Sequence, residues 1–286
     1  MEEGGMLKMK RRWKGVLIAC GVLGIAGAGM CIAAAAIGVD RADVPSMILP
    51  HVDWLHGAEN SHHGDTGEKT FLKSYTGIDS LDIRAEAVEV EVKADGNGSS
   101  DQIQISTRNI DADTELDVKK KGSKLVIDSE RKGRKHWLNQ SDAVVTVTIP
   151  NNLNFKEVKG SADAGSIWFE KISCEKLDLD VDAGAIDADT FSAGQLKVEC
   201  DAGSVELYQG NSPENIKASC SAGAVTLGLA GDRSQYDYEM KASAGDISID
   251  GESVVSGLLG ENQSGHGNGK SMKAECMAGS IDILFD

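Results

Sequence analysis

Six short phrases, DAGSI, DAGAI, DAGSV, SAGAV, SAGDI and MAGSI, recur around Gly165, Gly184, Gly203, Gly223, Gly245 and Gly279. The glycines are 19, 19, 20, 22 and 34 residues apart. Internal repetition at this period narrows the possible folds more than any other property of the chain, because each copy must bury its apolar side against the next. Seven positions before the glycines stand Val158, Leu177, Leu196, Ile216, Tyr238 and Met272. Five before stand Gly160, Leu179, Val198, Ala218, Met240 and Ala274. Three before stand Ala162, Val181, Cys200, Cys220, Ala242 and Cys276. An Ile or Val follows two positions after each glycine, and Phe169, Ala188, Leu207, Leu227, Ile249 and Ile283 follow at four. These columns hold no charge, and the residues between them are mostly polar. Such alternation is that of strands with one buried face.

Alanine precedes every glycine, and its spacing of three from the next apolar residue implies a change of phase. A glycine corner or bulge supplies it through backbone freedom, with the alanine buried where the walls converge. About 20 residues are too few for a strand–helix–strand unit of about 30. The fold expected is therefore all-β: a β-solenoid of the parallel β-helix or β-roll type, with coils of about 19–22 residues and the six glycines as structural corners. A weaker copy lies at LDIRAEAVEVEV, with Leu81, Ile83 and Ala85 in the −5, −3 and −1 places and Glu86 in place of the glycine. Strand-like runs at 103–106, 115–118, 124–129 and 144–150 read as hairpins that cap the first coil. The expected organisation is a cytoplasmic basic tail (1–14), a transmembrane helix (15–39), a stalk (40–70), a capping β region (71–157) and the solenoid (158–286). Residues 251–271 are expected to form a Gly-rich excursion whose removal leaves the fold intact.

Charge supports this division. The first fourteen residues carry +3, residues 15–39 carry none, and the remainder carries −19 of the net −16. Twenty-five apolar and small residues span about 37 Å as a helix, enough for a hydrocarbon core of about 30 Å. The basic cluster and Trp13 precede this run, which places the N-terminus in the cytoplasm and the acidic domain outside. A cleaved signal peptide ending near Ala33–Ala36 is the competing reading; the apolar run exceeds the usual h-region. An acidic domain repels nucleic acid, so none is expected as a partner.

The segment VTIPNNLNFKEVKGSADAGSIWF, with the coils after it, resembles the bacterial putative-adhesin family, also called domain of unknown function 4097. The resemblance runs from about Phe71 to Asp286 and rests on the strand ending in Ile149-Pro150 and on the Ala/Ser-Gly corners. It implies a right-handed β-solenoid, often behind an N-terminal membrane span, and a tie in some members to cell-envelope stress. It brings no catalytic residues.

Candidate sites are few. His51, His56, His62 and His63 with Asp53 and Asp65 offer metal-binding side chains on a stalk that does not fix them. Asp163, Asp182 and Asp201 would stack into a carboxylate ladder able to take calcium, but the calcium β-roll signature is missing and a solvated turn is preferred. Cys200 and Cys220 share an inward column within disulfide range; free buried thiols are preferred, and none of Cys174, Cys200, Cys220 and Cys276 lies in a CxxC pair. No catalytic motif is present, and no cofactor is expected. The function expected is non-enzymatic binding or scaffolding at the cell envelope, toward a protein or glycan ligand. Self-association is expected through the strand edges of the last coil, SIDILFD. A polysaccharide-active enzyme on an acidic face and a mechanical spacer are the alternatives.

Overall fold

The computed structural model describes residues 70–286, apart from 87, 97–100, 111–113, 132–142, 257–259 and 265–268. The expected tail, transmembrane helix, nearly all of the stalk and the histidine cluster lie outside the described residues. Among the described residues no helix is long and apolar enough to cross a membrane.

In chain order the strands are β1 (Thr70–Tyr75), β2 (Ser80–Ala85), β3 (Glu89–Ala94), β4 (Ile103–Arg108), β5 (Thr114–Lys121), β6 (Lys124–Arg131), β7 (Val144–Ile149), β8 (Phe155–Ala162), β9 (Ser166–Val181) and β10 (Ala185–Cys200). There follow β11 (Ser204–Gly210), β12 (Asn215–Cys220), β13 (Ala224–Leu229), β14 (Tyr236–Ala242), β15 (Asp246–Ile249), β16 (Glu252–Ser256), β17 (Gly260–Ser264), β18 (Lys270–Cys276) and β19 (Ser280–Phe285). β9 and β10 each run from one main wall to the other, so their first and second halves belong to different ladders.

The ladders are parallel and in register, as the repeat requires. One sheet, formed before the corners, runs β6, β2, β8, the second halves of β9 and β10, β12, β18, β14. The other, formed after the corners, runs β7, β3, the first halves of β9 and β10, β11, β13, β19, β15. The predicted inward columns face each other across the core; Leu179, Val198, Ile186 and Val205 are fully buried. The alternation breaks again at the exposed pair Glu170–Lys171 and near Glu175–Lys176, and Ile172 and Cys174 between them turn inward as a short third wall. Phe191 fills the core behind this wall because Gly210 has no side chain; a Cβ there would lie 2.2 Å from the Phe191 ring.

Spatial order departs from chain order at both ends. The last coil, β18–β19, lies between β12–β13 and β14–β15. Correspondingly the first coil, β2–β3, lies between β6–β7 and β8–β9. The chain's two terminal coils are therefore the penultimate rungs, held by ladders on both sides. The outermost rungs carry antiparallel covers. At one end β5 pairs with β6, and β4 pairs with β7 and with β1. At the other β17 pairs with β14, and β16 with β15 through a two-residue Asp250-Gly251 turn with φ of 53° and 76°.

Several expectations are corrected by this arrangement. The edges of SIDILFD are both filled, so self-association through the last coil's edge has no open strand to use. Within the expected excursion, residues 252–256 and 260–264 are strands that close the stack. The region 71–157 contributes two coils as well as the cap, so residue 158 marks no architectural boundary. β6 and β7 form the two walls of one rung and not a hairpin with each other, while the hairpin reading holds for β5–β6, which turns at Gly122 with φ of 65°. The early copy is genuine but its register is two residues off. Ala85 pairs with Ala162 and Val90 with Ile167, which puts Ala85 at −3 and Val88 at the glycine position. A slip of two keeps every side chain on its face, so alternation alone does not detect it.

Candidate binding face

The corner glycines form one column, and their purpose is proximity. None has a positive φ. A Cβ would lie 2.4 Å from the Val88 carbonyl oxygen at Gly165, 2.2 Å from that of Gly165 at Gly184, and 2.1 Å from that of Gly184 at Gly203. It would lie 2.4 Å from the Gly203 oxygen at Gly223, 2.1 Å from the Gly223 oxygen at Gly279 and 2.6 Å from the Gly279 oxygen at Gly245. Each glycine packs against the carbonyl of the rung below, and there is no room for a side chain. The alanines before them are exposed, correcting the expectation that they are buried; the turn from one wall to the next runs between the −3 and +2 positions.

Outside the corner the −2 side chains stack as Glu86, Asp163, Asp182, Asp201, Ser221, Met277 and Ser243, tied by backbone bonds such as Ala183 N–H to Asp163 O (2.9 Å) and Ala202 N–H to Asp182 O (2.8 Å). The corrected register adds Glu86 to the expected ladder, and Ser221 Oγ donates to Asp201 Oδ1 at 2.9 Å. In-register stacking holds the carboxylates along a line about 4.8 Å apart instead of around a point. Among the described residues no group of three or more His, Cys, Asp or Glu side chains is arranged to hold a metal ion.

The two outer sheet faces differ sharply in charge. The face formed before the corners is neutralised by cross-strand pairs: Lys176 with Glu157 (3.1 Å), Lys197 with Asp178 (3.5 Å) and Lys273 with Glu239 (2.9 Å). Such exposed pairs add little stability. The opposite face, over 89–93, 166–170, 185–189, 204–208, 224–228, 280–284 and 246–249, presents eight carboxylates and one lysine, Lys93. Strand alternation aims Glu91, Trp168, Asp187, Glu206, Thr226 and Asp282 outward in one row, with Lys93, Glu170, Asp189, Tyr208 and Leu284 beside them.

Asp187 and Glu206 are register partners on neighbouring strands. Burial, then the charges of Glu206 and Asp189, push the Asp187 carboxyl up to about 7. Trp168 Nε1 donates to Asp189 Oδ1 at 3.0 Å, and the Lys93 ammonium sits 5.5 Å from the Trp168 ring centroid while pairing with Glu91 at 2.8 Å. The Tyr208 hydroxyl donates to Glu206, which pushes that phenol up to about 12, and Tyr208 remains 43% exposed. This face was not singled out in the sequence: its acids belong to different coils, and only the register assembles them.

The four described cysteines are buried free thiols. Cys200 and Cys220 are register partners, as the columns predict. Cys276 is the other partner of Cys220, because β18 and not β14 lies beside β12.

Searching curated proteins finds no significant match to the chain. Among solved structures, one described as a putative cell adhesion protein from Clostridium sporogenes ATCC 15579 is 15% identical, with 77% of this chain and 100% of that chain covered and a TM-score of 0.44. A putative adhesin from Bacteroides fragilis NCTC 9343 is 13% identical, covering 77% and 97%, with a TM-score of 0.40. A putative lipid binding protein from Parabacteroides distasonis ATCC 8503 is 11% identical, covering 76% and 96%, with a TM-score of 0.32. The coils that carry the corner glycines match a family model, Toastrack DUF4097, from residue 151 to residue 283.

Proposed function

We propose that the chain is a non-enzymatic binding protein whose acidic sheet face takes up a cationic segment of an envelope protein. The observation that carries the reading is the charge asymmetry between the two faces. Eight carboxylates share one face with a single lysine, and burial, with the charges of Glu206 and Asp189 added to it, raises the Asp187 carboxyl to about 7. A cationic partner relieves that repulsion, and complementary charge gives both steering and register. Lys93 over Trp168 shows how an incoming amine would sit, between a ring face and a carboxylate. In this reading residues 15–39 anchor the chain in a membrane, the basic tail stays in the cytoplasm, and the solenoid stands outside on the 40–70 segment.

The test is titration of the full-length chain in detergent micelles with a labelled oligolysine peptide, read by fluorescence anisotropy. Asp187→Asn with Glu206→Gln should weaken binding about tenfold, or about 1.4 kcal/mol. Asp180→Asn with Glu275→Gln on the opposite face removes the same formal charge and should change it little. Equal losses from both pairs would reduce the effect to net charge and refute the face.

A second reading has one observation behind it. Asp187, protonated near neutrality, stands one strand from Glu206, and a carboxyl pair about 5–5.5 Å apart is the arrangement of retaining glycosidases. Turnover of a cell-wall glycan by the intact chain, abolished by Asp187→Asn, would favour this reading over binding alone.

A further inference from the structure

The inserted last coil brings three thiols into one line. Cys200, Cys220 and Cys276 occupy the −3 position of three successive rungs. They are 2%, 1% and 2% exposed, and all three face the core side of the corner. Each sulfur leans over the glycine of the next rung. A Cβ on Gly223 would lie 2.6 Å from Cys200 Sγ, one on Gly279 2.6 Å from Cys220 Sγ, and one on Gly245 2.3 Å from Cys276 Sγ. The absence of side chains on these glycines leaves the space the sulfurs occupy. Neighbouring rungs place the Cα atoms about 4.8 Å apart, inside the 4.4–6.8 Å range of disulfides, whereas Cys200 and Cys276, two rungs apart at about 9.6 Å, fall outside it.

We propose that this column is an oxidation site in which Cys220 forms a disulfide with either Cys200 or Cys276, one at a time. A hydroperoxide is the oxidant class. One flanking thiol takes an oxygen from hydrogen peroxide, giving a sulfenic acid and one water. Cys220 sulfur then attacks that sulfur, the S–O bond breaks, and the hydroxyl leaves as a second water with the Cys220 proton. Two thiols and one peroxide give one disulfide and two waters. Cys220 donates its single S–H to one flanking sulfur at a time, which lowers that neighbour's thiol and raises that of Cys220, so the flanking sulfur that accepts is the one primed to react first. Either bond staples rungs that the chain joins in different ways. Cys200–Cys220 links coils consecutive in sequence, and Cys220–Cys276 locks the inserted last coil against β12.

The experiment treats the full-length chain in detergent with hydrogen peroxide, blocks remaining thiols under denaturing conditions and maps disulfides by peptide mass spectrometry. Cys220 linked to Cys200, to Cys276, or to each in different molecules supports the site. Variants to alanine are suitable because Ala85, Ala162 and Ala242 hold the same column position in other rungs. Cys220→Ala should abolish cross-linking within the column, Cys200→Ala should leave the 220–276 bond, and Cys276→Ala the 200–220 bond. Circular dichroism of each variant confirms the fold. A folded chain in which all three thiols stay reduced at a peroxide dose that oxidises glutathione in the same sample would overturn the proposal, as would a Cys200–Cys276 bond in Cys220→Ala.

Discussion

Replacing Gly203 by alanine tests why the repeat contains glycine at all. The new methyl would start 2.1 Å from the Gly184 carbonyl oxygen and 2.5 Å from Val181 Cγ1. Neither is the free end of a flexible chain. Reaching an ordinary contact requires the two rungs to part locally by about 1 Å. Three backbone bonds cross that gap: Asp201 N–H to Val181 O (2.8 Å), Ala202 N–H to Asp182 O (2.8 Å) and Ser204 N–H to Gly184 O (3.2 Å). Stretched by about 1 Å they leave the hydrogen-bonding range. At roughly 1 kcal/mol each, plus about 1–3 kcal/mol of overpacking, the substitution should destabilise the domain by about 3–5 kcal/mol. Two controls separate space from backbone angle. Gly228→Ala meets nothing closer than 3.4 Å and has no positive φ, so it should lie within about 1 kcal/mol of wild type. Gly122→Ala has open space but a φ of 65°, and should lose about 1–2 kcal/mol through conformation alone. Urea unfolding of the full-length chain, followed by circular dichroism, gives all three values. A Gly203→Ala loss below about 1 kcal/mol, or one no larger than that of Gly122→Ala, would refute close packing as the role of the corner.

Asp187 gives a pH signature. Its carboxyl is raised from 3.8 to about 7 in the fold, so the folded state binds more protons between those values and stability falls as pH rises through that window. Asp187→Asn removes the penalty and should gain on the order of 1–3 kcal/mol relative to wild type at pH 8 while changing little at pH 4; an equal effect at both values would contradict the assignment. Deleting residues 252–264, with Asp250 and Gly251 joined to residue 265, uncovers the outer edges of β14 and β15, and light scattering should show association of the otherwise folded chain. An unchanged monomeric fraction would mean that these strands do not protect the stack. Gly210→Ala should destabilise through displacement of the Phe191 ring, and Phe191→Leu in the same chain should recover part of the loss.

The columns around the glycines were legible because stacking makes chemically equivalent positions alike: Leu177, Leu196 and Ile216 announce one another. The order of the rungs was not. Cys276 and Ala242 both suit the −3 column, and nothing in either residue says which lies beside Cys220. β16 and β17 cover the outer edges of β14 and β15, but the 251–271 segment that holds them reads as a Gly-rich loop, so the covered end of the stack is hidden in the sequence. Alternation, with its period of two, does not distinguish Glu86 at the glycine position from Glu86 two residues before it. The alanines before the glycines are small and apolar, which suggests burial, yet they stand outside a turn whose tightness comes from the adjacent glycine. The acidic face was invisible for want of register, since Asp187, Glu206 and Trp168 meet only when three coils are superposed.

Rung order is also what the central claim depends on. Ser219, Glu275 and Lys241 occupy one outward column, and the structure places Glu275 between the other two. Cysteine pairs introduced at these positions, oxidised in the full-length chain and mapped by mass spectrometry, read that order directly. The account predicts rapid cross-linking of Ser219→Cys with Glu275→Cys and of Glu275→Cys with Lys241→Cys, and none of Ser219→Cys with Lys241→Cys. Efficient cross-linking of 219 to 241 would show that the coils stack in chain order and would contradict it.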